Sequence, residues 1–154
     1  MKALAGALAA WLAATTAQAA PEAPSPPPSP SPEWQRTLRA SQCDLDALSE
    51  TIDIVRSSDA AGARLPLEAV RLAGGRCPRF VVALAQPHEI RRFCAAPESL
   101  TAVQGARELR RRMALLDQDE LLRTSATGRA CRAAYEHELK TTRVVLRPKA
   151  RGTP

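Results

Sequence analysis

Four cysteines, Cys43, Cys77, Cys94 and Cys131, constrain this chain more than any other feature. They stand 34, 17 and 37 residues apart. Structural zinc takes its thiolates from close pairs such as C-x-x-C, and the sequence has none. An even number of widely spaced cysteines predicts two disulfides, provided the chain reaches an oxidising compartment.

The N-terminus predicts that it does. Lys2 supplies a basic start, Ala3 to Ala14 an apolar run with Trp11 inside it, and Ala17-Gln18-Ala19 a small-x-small cleavage signal. Cleavage after Ala19 makes Ala20 the first mature residue. The apolar run is far shorter than the roughly 20 residues a spanning helix needs. No cysteine follows the cleavage site to carry a lipid, and no later segment reads as a membrane span. The expected division is a signal peptide at 1–19, a spacer at 20–32, a helical domain at 33–147 and a basic tail at 148–154. The expected location is the periplasm.

Seven of the thirteen spacer residues are proline. That composition buries no core and favours an extended chain, which at about 3.1 Å per residue reaches roughly 40 Å. It either holds the domain away from something at its N-terminus or is a tail that aids export; the second reading is favoured.

The domain reads as helix. Ser31 suits a cap, Pro32 the first helical position and Glu33 the positive end. Trp34, Leu38, Leu45, Leu48, Ile52 and Val55 fall on one stripe at helical spacing. Ser41 interrupts the stripe and with Asp44 resembles a capping box, so either one helix runs from 33 to 56 or the chain breaks near 41. On a continuous helix, Cys43 points away from the stripe. A helix from Pro66 is expected to end at Gly74-Gly75. The apolar run Phe80 to Ala85 fits strand or helix; lacking partner strands, it is read as helix. Pro87 starts another turn or two, with Ile90 and Phe93 apolar. An antiparallel hairpin of these two short helices places Cys77 near Cys94 and leaves Cys43 for Cys131. The other two connectivities stay open, since spacing alone does not fix pairing.

Pro97 and Glu98 are expected to open a helix to about Leu116, with Leu100, Val103, Leu109, Met113 and Leu116 apolar and Gly105 a weak point. Asp117, with Glu120 three residues on, fits a further cap. A last helix spans about 128–142, with Cys131, Tyr135, Leu139 and Thr142 on one side. The fold class is all-α: a small bundle of about five or six short helices stapled by two disulfides.

The charge is basic, 22 Lys and Arg against 16 Asp and Glu. It is also uneven. Residues 33–59 hold six acidic and three basic residues, whereas 64–151 hold eighteen basic and nine acidic. The first helices either pack against a basic remainder or leave a basic surface for a partner. In a cytosolic chain this charge points to nucleic acid. For an exported one the anionic partners are acidic proteins, wall polymers or lipid headgroups. Only Trp34, Phe80, Phe93 and Tyr135 are aromatic beyond the signal region, too few to stack bases, so no nucleic-acid partner is expected.

Catalytic signatures are missing: neither Gly-x-Ser-x-Gly nor His-Glu-x-x-His occurs. His88 stands at a helix start. His137 lies in Tyr135-Glu136-His137-Glu138, where consecutive residues project around a helix instead of converging. Asp117, Asp119 and Glu120 read as a cap with exposed acids. No catalytic, metal or cofactor site is assigned. Arg110-Arg111-Arg112, the densest basic run, is either a solvated flank or the contact for an acidic partner. The leading expectation is a non-catalytic binding or accessory protein of the cell envelope with a protein partner there, plus peripheral contact with an anionic envelope surface. An immunity or inhibitor protein against a toxic enzyme comes second and a wall hydrolase third.

Overall fold

Helix starts and stops are set by short polar side chains. The computed structural model describes residues 30–146; the expected signal peptide, nearly all of the expected spacer and the expected basic tail lie outside them. Ser31 accepts from the Trp34 amide at 3.2 Å and Pro32 opens α1 (Pro32–Ser41). Asp44 accepts from the Ala47 amide at 3.0 Å and starts α2 (Leu45–Ser57). Then follow α3 (Arg64–Arg76), α4 (Pro78–Leu84), a 3-10 turn (Pro87–Glu89) and α5 (Ile90–Phe93). The chain ends in α6 (Ala102–Gln118), α7 (Glu120–Thr124) and α8 (Ala126–Leu146). The all-α bundle with two disulfides is as expected, but the described residues form eight α-helices where about five or six were expected.

The boundaries explain the extra helices. Of the two readings of 33–56, the break is the one found. Ser41 is the last residue of α1 instead of a cap, and Cys43 takes a left-handed φ of 73°, a conformation that ends helices. This turn rotates α1, so Thr37, Ala40 and Ser41 face inward. Trp34, Leu38 and Leu45 are left 44–47 % exposed, and only Leu48, Ile52 and Val55 of the expected stripe are buried. α6 starts later than expected because Thr101 and Gln104 cap it reciprocally; Val103 is consequently exposed and Leu100 lies in the preceding loop. Asp119, not Asp117, caps α7 through the Leu121 and Leu122 amides.

The buried side chains form two clusters. Ala40, Leu48, Ile52, Val55, Val70 and Phe93 belong to the first, built on α1–α3. Leu109, Leu116, Leu122, Tyr135 and Leu139 belong to the second, built on α6–α8. α4 and α5 divide between them: Val81 and Phe93 point into the first, Val82 and Ile90 into the second.

Each cluster has its own disulfide. Cys43 pairs with Cys77 at a Cα–Cα distance of 6.0 Å, and Cys94 with Cys131 at 5.3 Å. This corrects the expected Cys77–Cys94 and Cys43–Cys131 pairs. The hairpin behind that expectation does not form, because α4 and α5 make little contact with each other. Cys77, at the α3–α4 junction, faces the α1–α2 turn, while α5 packs on α8 and carries Cys94 to Cys131. In the chain-entropy picture, closing loops of this length stabilises by about 4 kcal/mol each.

Candidate interaction surface on α6

α6 carries four arginines that the helix sorts by face. Leu109, Arg112 and Leu116 recur at i, i+3 and i+7 and are all buried, whereas Arg107, Arg110 and Arg111 are exposed. Arg112 is 2 % exposed and is the largest fully buried side chain among the described residues. A buried guanidinium is tolerable only when paired and hydrogen-bonded, and this one is. Its Nε donates to Glu108 Oε1 at 2.8 Å and its Nη1 to the Ala95 carbonyl at 3.1 Å. The guanidinium also lies 6.0 Å from the centre of the Tyr135 ring, within cation–π range. Burial pushes the Tyr135 hydroxyl above its ordinary pKa.

Arg111 reaches across to α3. Its Nη2 donates to the Gly75 carbonyl at 2.7 Å and its Nε to Glu108 Oε2 at 2.7 Å. Hydrogen bonds from Arg111, reinforced by Arg112, hold the Glu108 carboxyl down to about 2. Gly75 is what makes the approach possible. A Cβ there would stand 2.5 Å from Glu108 Oε1 and 2.8 Å from Arg112 Nη2. Gly74-Gly75 therefore does not end α3, as expected from sequence; both glycines lie inside it, and α3 continues to Arg76.

The three-arginine run is thus not one surface. Arg112 is internal and Arg111 shares its charge with Glu108. Arg110, together with Arg107 one turn earlier, is exposed and forms no ion pair among the described residues. Arg107 was missed in the sequence, although its i, i+3, i+4 relation to Arg110 and Arg111 places it on their face. The same periodicity, read against Leu109 and Leu116, assigns Arg112 to the core.

The other singled-out residues do not converge. His88 is exposed beside Glu89, whose carboxylate is gripped by Arg56 through two 2.8 Å hydrogen bonds and held below its ordinary pKa. Asp117 pairs with Arg132 at 2.7 Å, Asp119 pairs with Arg79 while capping α7, and Glu120 is exposed. Along α8, Tyr135 is buried, Glu136 pairs with Arg132, His137 is exposed and Glu138 accepts from the Ala96 amide. Among the described residues, no three His, Cys, Asp or Glu side chains stand where they would hold a metal ion. No helix there is long and apolar enough to cross a membrane. No family model, curated protein or solved structure matches the chain.

Proposed function

We propose that this is an exported, periplasmic binding or accessory protein of the cell envelope, without catalytic activity, that holds an acidic protein partner through the outer face of α6. The observation that carries this reading is the contrast within α6. Arg111 and Arg112 are engaged by Glu108, Gly75 and Ala95, while Arg107 and Arg110 present unpaired guanidinium groups to solvent. Guanidinium groups bind carboxylates in a bidentate, geometrically specific way. Two disulfides and the signal-like N-terminus support the oxidising address. An anionic envelope surface is a secondary site for the same face.

The test is a crosslinking pull-down from the envelope fraction with the mature chain tagged at its C-terminus. A single stoichiometric partner, lost in Arg107→Glu/Arg110→Glu at low salt, is the expected result. Unchanged capture by that variant would remove this face from the account. N-terminal sequencing of the secreted product should begin at Ala20. The sequence-level runner-up, an inhibitor of a toxic enzyme, predicts that the captured partner is an enzyme that the protein inactivates.

A further inference from the structure

Beside the second cluster, α5 and α8 line a groove of about 470 Å³. Its size lies within the roughly 300–1,000 Å³ of small-molecule sites. Buried Ile90 and the Cys94 half of the disulfide line it from one side, and Ala130 and Ala133 of α8 from the other. Arg91 and His137 also line it; both are exposed, and neither side chain makes a hydrogen bond or ion pair among the described residues. The one carboxylate in the lining, Glu138, is held by the Ala96 amide at 3.1 and 3.2 Å.

The segment is held firmly. Glu89, buried at the start of α5, is clamped by Arg56, and its Oε2 accepts from the Gln86 amide at 2.7 Å. The disulfide fixes the other end of α5 to α8. An apolar groove with a free guanidinium and an imidazole at its edge, both able to donate, complements an apolar body that ends in an anion. We infer that the groove binds a small amphipathic carboxylate, its apolar part against Ile90, Ala130 and Ala133 and its carboxylate on Arg91 and His137. This site is separate from the α6 face and stands or falls independently of it.

The test uses the full chain and the fluorescent probe 1-anilinonaphthalene-8-sulfonate, with decanoate and decylamine as competitors. The expected result is saturable one-to-one binding, displaced by decanoate and not by decylamine. Arg91→Gln should weaken it about tenfold, the loss of one charge-assisted hydrogen bond. Ala133→Trp should fill the groove and abolish binding, while Arg123→Gln on α7 leaves it unchanged. Should Ala133→Trp lose helicity, Ala130→Leu fills the same wall with a smaller side chain. Absence of saturable binding would overturn the inference, as would equal displacement by decylamine. Binding that persists in both groove variants would also overturn it, placing the probe on the exposed Trp34–Leu38 face of α1.

Discussion

The two halves of the molecule solve the same problem with different materials. The first half packs aliphatic side chains and Phe93, and its three buried hydroxyls, Thr37, Ser41 and Thr51, donate to carbonyls of their own helices. Its disulfide joins two helix junctions. The second half buries a cation, Arg112, against Tyr135 and Glu108, and its disulfide ties the end of α5 to the second turn of α8. No charged side chain is buried in α1–α3, whereas the second half needs a satisfied polar node. The contacts between them are also polar. Arg56 pairs with Glu89, Arg71 with Glu98 at 2.7 Å and Arg79 with Asp119, and Arg111 reaches the Gly75 carbonyl. In the three ion pairs the arginine comes from α2–α4 and the carboxylate from beyond them. Of the two readings of the uneven charge, an acidic start packed against a basic remainder is therefore not what these pairs form. Glu50, Asp44 and Asp53 pair with Arg36, Arg39 and Arg56 inside the first half, while Arg107 and Arg110 of the later part stay on the surface.

The largest effects should come from the disulfides. Cys43→Ser/Cys77→Ser and Cys94→Ser/Cys131→Ser should each cost about 4 kcal/mol in denaturant unfolding. Hydrogen exchange should show the first variant opening mainly α1–α3 and the second mainly α5 and α8. Equal loss of protection across the chain in both would erase the distinction between the halves. Next comes Arg112→Ala, which leaves Glu108 part-buried beside a cavity and should cost about 3 kcal/mol or more; an equal loss in Arg110→Ala would show that the helix does not sort its arginines as described.

Gly75→Ala should cost about 1–2 kcal/mol, overpacking against Glu108 and Arg112 exceeding the helix-propensity gain. Gly74→Ala, whose Cβ would sit 3.5 Å from Arg112 Nη1, should be neutral or stabilising by up to about 1 kcal/mol. Thermal melts against pH sharpen the comparison further. Glu108 is held at about 2, below its ordinary 4.5, so the stability it contributes is present above about pH 4.5 and is lost as pH falls through 2. Glu108→Gln should lower stability at pH 7 and flatten that acid limb. The smallest stability change, within about 0.5 kcal/mol, is expected for Arg107→Glu/Arg110→Glu, the variant predicted to lose partner capture.

Much of this architecture was readable in the chain because it is local. The Ser31–Pro32 start and the Cys131, Tyr135, Leu139 stripe depend on neighbours within a turn or two. The Trp34–Leu38 stripe misled because a left-handed Cys43 turned α1, and hydrophobicity alone does not report such a turn. The pairing of the cysteines depended on α5 choosing α8 over α4, a contact between segments distant in sequence. The α6 surface was half legible: Arg110 is on it, and Arg111 beside it is engaged by Glu108 and Gly75. Arg112 is in the core because Glu108, Ala95 and Tyr135 satisfy it there, and a triplet of identical residues conceals that difference.

Each half is closed on itself, with α6 clamped to α3 between them. Peptide mapping of the unreduced protein by mass spectrometry tests it most directly. The expected result is one linked peptide pair containing Cys43 with Cys77 and another containing Cys94 with Cys131. A Cys77–Cys94 link together with Cys43–Cys131 would contradict it, because that pairing ties the halves to each other instead of closing each one.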